Sequence, residues 1–122
     1  MSKIKLGNRP KNFKHVVTFP MLDGTTGTIE VLYKYRTVSE FGQFIDKMSS
    51  EMGSEEVKGA GAVISRMVKV NAEYLLQVIE GWNLDEELNE ETAHQLANEL
   101  PAAAAAIMNT YRQAIVEQRL GN

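Results

Sequence analysis

The longest hydrophobic pattern in the chain runs from residue 54 to residue 82. Its apolar residues recur at intervals of three and four, which is the spacing of one face of an α-helix. They are Val57, Ala60, Ile64, Met67, Val68, Leu75, Val78, Ile79 and Trp82. A second stripe of Val63, Val70 and Tyr74 widens the apolar surface to more than half of the circumference. Because such a helix must be covered on two sides, we expect the rest of the chain, or a partner, to pack against it.

Residues 13–36 show the alternation of a β-hairpin. In each of two runs, every second residue is β-branched or aromatic, as in strands with one buried face. These residues are Phe13, His15, Val17 and Phe19, then Ile29, Val31, Tyr33 and Tyr35. Gly24 and Gly27 lie in the predicted turn, where they can adopt positive φ. Pro20 has no N–H to donate, so the first strand is predicted to be an edge. Since a lone hairpin is marginal in water, helices must cover it or a second copy must extend it.

The remaining patterns predict helices over 38–52, 54–82, 90–100 and 101–120. Thr37 and Glu40 form a capping-box pattern before the first helix. Its predicted apolar face is Val38, Phe41, Ile45, Met48 and Met52. Gly53 suits the left-handed residue after a helix, and Ser54 suits the cap of the next one.

Glycines and capping residues indicate where the later helices begin and end. Gly59 and Gly61 fall inside the predicted 54–82 helix, which indicates either a frayed or kinked first turn or the close approach of a partner backbone. Asn89 is the predicted cap of the third helix, and Pro101 occupies the first position of the fourth. The predicted buried faces of these two helices are Ala93, Leu96, Ala97 and Leu100, and then Ile107, Met108, Tyr111, Ala114 and Ile115, with an end at Gly121.

These elements predict an α+β fold in which an N-terminal β-hairpin packs on a bundle of about four helices. The 122 residues suffice for one domain, placed at 13–122 after a basic tail at 1–12. The chain has no cysteine, which excludes disulfides. No segment has the secretory pattern or the roughly 20 apolar residues of a membrane span. We therefore expect a soluble, cytoplasmic protein that makes no membrane contact.

Charge and chemistry narrow the function. The net charge of the chain is −3. Residues 1–14 carry five cations and no acid, so the net charge of the remaining residues is −8. A short basic tail on an acidic body argues against a nucleic-acid-binding domain. His15 and His94 have no ligand partners in the pattern, and the acids at 85–91 lack the spacing of a calcium loop. We predict no catalytic residue, cofactor or metal, and hence no enzyme. Two hypotheses remain open: an interaction or chaperone module, and a small helical regulator that reads nucleic acid, which is weaker because no helix is basic.

From Trp82 onward, about 40 residues resemble the phage tail assembly chaperones of long-tailed, lambda-like phages. The shared features are a tryptophan after a long helix, an acidic turn, a leucine–proline junction, an aromatic residue in the last helix and a Gly-Asn end. Here they are Trp82, Asp85 to Glu87, Leu100-Pro101, Tyr111 and Gly121-Asn122. The hairpin and the basic tail lie outside the resemblance.

The resemblance implies a non-catalytic protein that coats the tape measure protein in the host cytoplasm and keeps it soluble. It also implies help in recruiting tail tube protein and absence from the finished virion. The alternative is an unrelated helical adaptor or regulator of a phage or bacterium.

Trp82, Leu100, Pro101 and Tyr111 are the candidate interaction residues, because aromatic anchors dominate interface energetics. The alternative, that they hold the bundle together, stays open. We also expect dimers or larger rings, since the 54–82 helix has more apolar surface than its neighbours cover and the hairpin leaves an edge.

Overall fold

The computed structural model describes residues 4–51 and 58–120. Its elements follow one another as β1 (Asn12–Pro20), β2 (Thr26–Lys34), α1 (Val38–Glu51), α2 (Ala60–Val78), β3 (Ile79–Trp82), α3 (Glu90–Glu99) and α4 (Pro101–Glu117). The predicted α+β class is confirmed. The sheet, however, has three antiparallel strands in the order β1-β2-β3, where the pattern predicted a two-stranded hairpin.

The hairpin pairs in one register from Asn12 opposite Lys34 to Pro20 opposite Thr26. The loop is therefore 21–25, and within it only Gly24 has positive φ, at 88°. Gly27 lies in β2, contrary to the prediction that it serves the turn. A Cβ at that position would come within 2.6 Å of the Phe19 ring, so glycine is needed there for close approach and not for positive φ.

The prediction that β1 is an edge strand is confirmed. The alternation of hydrogen bonds along β1 also explains why a proline is tolerated at position 20. The Tyr35 N–H donates to the Lys11 carbonyl at 3.2 Å. Because residues of an antiparallel ladder point alternately toward and away from the partner strand, the odd residues of β1 bond to β2 and the even ones point outward. Pro20 is an even residue, so its missing N–H falls on the open side.

The long helix is shorter than predicted at its C-terminal end. It ends at Val78, because Ile79 adopts an extended conformation (φ −97°, ψ 128°). Residues 79–82 then pair with β2, with Trp82 opposite Val31 and a bulge at Glu80. At the other end, Gly59 is the N-cap with φ 92° and precedes the helix. The predicted helix end at Gly53, the predicted cap at Ser54 and residues 55–57 of the predicted helix lie outside the described part of the chain.

The predicted caps are confirmed in two places. The Thr37 N–H donates to Glu40 Oε1 at 2.8 Å, and the Glu40 N–H donates to Thr37 Oγ1 at 3.2 Å. Before α3, the Asn89 side chain accepts from the Thr92 N–H, and the Thr92 hydroxyl accepts from the Asn89 N–H. Helix α4 ends earlier than the predicted residue 120, because Gln118 takes the left-handed conformation. Gly121, the predicted end, lies outside the described residues, as does Met52.

The buried face of α1 differs from the prediction by one position. Phe41, Phe44 and Met48 are buried, whereas Val38 and Ile45 are exposed. The Phe44 ring packs against the Tyr74 ring, with centroids 5.0 Å apart. The Arg36 guanidinium lies over the Phe44 ring, 4.4 Å from the ring centroid. Rings and a stacked cation thus decide which of two neighbouring helical faces is covered.

The core lies between the inner face of the sheet and the helices. Helix α4 packs against both β1 and β2, and α2 packs against α3 and α4. Tyr33 and Tyr111 are the largest fully buried side chains of the core. The buried residues of helix α2, which are Ala72, Leu75 and Val78, all lie in its C-terminal half. Ile64 and Met67, predicted on the covered face, are exposed.

Candidate functional site

Trp82 and Leu100 line one apolar groove beside the start of α3. Leu84 and Leu96 complete its apolar wall, and the exposed acids Glu86 and Glu99 border it. The groove has a volume of about 170 Å³, which admits a single apolar side chain rather than a small-molecule ligand of ordinary size. Two of the four predicted interaction residues are therefore brought together.

The loop that follows β3 holds Trp82 in place. The indole N–H of Trp82 donates to the Glu86 carbonyl at 2.7 Å. Asn83 ties the loop to β2, because its side-chain oxygen accepts from the Glu30 N–H at 2.9 Å and its own N–H donates to the Glu30 carbonyl. The indole is thus oriented by backbone groups, and its half-buried ring forms one wall of the groove.

The leucine–proline junction connects α3 to α4 without a loop. Leu100 is both the C-cap of α3 and the N-cap of α4, with its N–H donating to the Leu96 carbonyl at 2.8 Å. Pro101 follows at the first helical position, where no N–H is needed. Leu100 is half-buried at the groove, whereas Pro101 is exposed.

Tyr111 lies in the core and is not among the residues that line the groove. Its ring packs against those of Phe13, Tyr33 and Phe41 at centroid distances of 6.1, 5.4 and 5.8 Å. Its hydroxyl donates to the Lys34 carbonyl and accepts from Arg36. Burial raises the pKa of Tyr111, against the lowering effect of Arg36. In the isolated chain, this side chain joins the sheet to α4.

The largest apolar exposure on the helices belongs to the first half of α2. Val63, Ile64 and Met67 are 53%, 57% and 52% exposed, and we call these three side chains the α2 apolar face. Their spacing places them along one side of the helix. The sequence pattern predicted excess apolar surface on this helix but did not locate it, because it also predicted that Ile64 and Met67 face the core.

Other chemistry is sparse in the part of the chain that the structure describes. Residues 4–51 and 58–120 contain no group of three His, Cys, Asp or Glu side chains that could hold a metal ion. Within the same residues, no helix is long and apolar enough to cross a membrane. His94 is exposed on α3 and His15 is half-buried on β1.

Comparison with known protein families identifies the family of this chain. A family model described as phage tail assembly chaperone matches residues 1–122, the whole chain. The match therefore includes the hairpin and the basic tail, which lay outside the resemblance seen in the sequence. No curated protein and no solved structure matches the chain.

Proposed function

The chain belongs to the phage tail assembly chaperone family, and we propose that it binds the tape measure protein during tail assembly and keeps it soluble. We further propose that it acts in the host cytoplasm, helps to recruit tail tube protein, and is absent from the mature virion. The proposal assigns binding, and no catalytic step, to this chain.

The α2 apolar face is the observation that supports this proposal. Val63, Ile64 and Met67 together expose a continuous apolar strip on a helix whose other half is anchored in the core. An exposed apolar strip of this kind suits an amphipathic helix of a partner, whose own apolar residues it would cover. Covering such residues on a partner is the physical task of a chaperone that prevents aggregation.

Coexpression with the tape measure protein of the same phage tests the proposal. The triple variant Val63→Gln, Ile64→Gln and Met67→Gln removes the apolar face while retaining good helix formers. Since these positions are exposed, we expect an unchanged fold and a loss of soluble tape measure protein. The matched control is Ala62→Gln, Ser65→Gln and Lys69→Gln, on exposed positions of the same segment. Equal solubilisation by both triple variants would contradict the proposal.

The groove at Trp82 supplies a second, separable contact. Trp82→Ala removes one wall of the groove together with the hydrogen bond to Glu86. If the variant stays folded by circular dichroism and no longer solubilises the tape measure protein, Trp82 contacts the partner. An unfolded variant would instead assign Trp82 to the structure of the β3 loop. Trp82→Phe serves as the control, since it keeps an aromatic ring in the wall while losing the N–H and the second ring of the indole.

A further inference from the structure

The outer edge of β1 presents an unpaired ladder. The N–H and C=O groups of Asn12, Lys14, Val16 and Thr18 point away from β2, as the bond between Tyr35 and Lys11 shows. No strand among residues 4–51 and 58–120 pairs with this side. Such an edge is a template for another strand.

Strand β1 lacks two features that discourage edge pairing, because it is neither bulged nor short. It pairs regularly with β2 over nine residues, and its proline lies at the last position. Lys14 is the only charged residue from 13 to 20, and its ammonium group lies 3.2 Å from the Glu30 carboxylate on β2. That lysine therefore leans away from the open edge. Val16, two residues on, is 48% exposed.

We propose that two copies of the chain pair through their β1 edges, antiparallel, to form one continuous six-stranded sheet. A two-fold axis at Val16 places this residue opposite Val16 of the second copy and Lys14 opposite Thr18. Each outward-pointing residue then meets another, and each such pair exchanges two backbone hydrogen bonds, except that Asn12 and Pro20 form one because proline has no N–H. The contact is isologous and closes as a dimer.

The positions of Lys14 and Pro20 suit a second copy as the occupant, and they favour this register. With Lys14 opposite Thr18, the two lysines are separated by about 14 Å along the strands, at ~3.4 Å per residue. A shift that sets Lys14 opposite Val16 would make the lysines diagonal neighbours, where like charges repel. The opposite shift would set Lys14 against Pro20 and Asn12 against the 21–25 loop, so the paired stretch would be shorter. The strand is thus complementary to itself in one arrangement.

This inference is independent of tape measure binding, which we assign to the α2 apolar face. It is therefore tested on the purified full-length chain alone, so that its failure leaves the proposed function untouched. A dimer dissociates on dilution, so sedimentation over a range of concentrations measures it. We expect a dimer at about 100 µM that dissociates at lower concentration.

Substitutions at Val16 locate the contact. Val16→Pro removes an outward N–H and spares the bonds to β2, and the tolerance of Pro20 at an outward position supports its use. Val16→Lys sets two ammonium groups against each other at the axis. We expect both variants to be monomers with wild-type circular dichroism, and Val16→Thr, which keeps the N–H, to remain a dimer. If the proline variant unfolds, the lysine variant decides the matter.

Cysteine cross-linking tests the register, because the natural chain contains no cysteine. Under mild oxidation, we expect Val16→Cys to form a covalent dimer. Thr28→Cys, at an exposed position of β2, should stay uncrosslinked. A wild-type monomer at about 1 mM would overturn the proposal, as would a dimer that survives Val16→Lys or does not cross-link at position 16. A monomer that gains strand only on addition of an extended tape measure peptide would assign the edge to that partner and would likewise overturn it.

Discussion

Tyr111 is fixed by hydrogen bonds as well as by ring contacts. Its hydroxyl donates to the Lys34 carbonyl at 2.9 Å and accepts from Arg36 Nη1 at 3.0 Å. Tyr111→Phe keeps the ring and leaves both partners without the hydroxyl, so we expect the free energy of unfolding to fall by about 1–2 kcal/mol in urea titrations. Tyr35→Phe is the control, because its hydroxyl makes no hydrogen bond among the described residues. Equal losses in both variants would mean that the Tyr111 bonds contribute nothing.

Buried tyrosines make the fold sensitive to alkali. Burial raises the pKa of Tyr74 from its ordinary value of 10 to about 12, and it also raises the pKa of Tyr33. A raised pKa means that the folded state holds the phenolic proton more tightly than the unfolded state does. The contribution of the protonated Tyr74 to the free energy of unfolding is therefore fully present below pH 10 and is lost as the pH rises from 10 to 12.

The urea midpoint measured against pH tests this dependence. We expect a constant midpoint up to about pH 9 and a steep fall above about pH 10. Tyr74→Phe removes one titrating group, so its midpoint should fall less over the same range than that of the natural chain. A midpoint that declines equally in both would show that Tyr74 ionises alike in the folded and unfolded states.

At the scale of elements, two glycines at the start of α2 have opposite roles. Gly59 has φ 92°, a conformation that strains any residue with a Cβ, whereas a Cβ at the helical Gly61 would meet no atom of the described residues within 4 Å. We expect Gly59→Ala to lower the free energy of unfolding by about 1 kcal/mol. Gly61→Ala should raise it by about 0.5–1 kcal/mol. Thermal unfolding of the pair, with the natural chain as reference, measures both signs, and a gain from Gly59→Ala would contradict the assigned conformation.

Strand β3 is the element that the hydrophobic periodicity did not predict. Val78, Ile79 and Trp82 continue the helical spacing of α2, and Ile79 to Trp82 show no strand alternation, because their two apolar residues are three positions apart. The helical period therefore predicted the wrong element here. The choice is made by the free edge of β2, which needs hydrogen-bond partners and obtains them from residues far away in sequence. No local pattern carries that information.

The caps and the hairpin were predictable because their causes are local. Thr37 with Glu40, Asn89, Pro101 and the outward-facing Pro20 each follow from the chemistry of neighbouring residues. The face of α1 was not predictable, since Phe44 and Ile45 fit the helical spacing equally and only the distant Tyr74 distinguishes them. For the candidate site, the resemblance supplied Trp82 and Leu100, whereas Leu84 went unnoticed because it is one of two separated apolar residues in an acidic loop, which form no periodic pattern.

At the scale of the whole molecule, positive charge is concentrated in the N-terminal tail, whereas exposed apolar side chains lie both in that tail and on α2. Five cations lie in residues 1–14, and the remainder carries −8. Among the described residues, the large exposed apolar side chains include Ile4 and Leu6 in the tail as well as the α2 apolar face. Two different parts of the molecule could thus attract a partner, one by apolar burial and one by charge. The two mechanisms respond in opposite ways to salt.

We expect tape measure binding to depend on the apolar face and to resist salt. Binding is measured by titration calorimetry in about 0.05 M and about 0.5 M sodium chloride, a range over which the Debye length falls severalfold. If Val63, Ile64 and Met67 dominate, the affinity should hold or rise at high salt, and the heat capacity change on binding should be negative. A variant in which Lys3, Lys5 and Arg9 are replaced by glutamine is the control and should bind as the natural chain does. A tenfold loss of affinity at high salt that this variant abolishes would transfer the interaction to the basic tail.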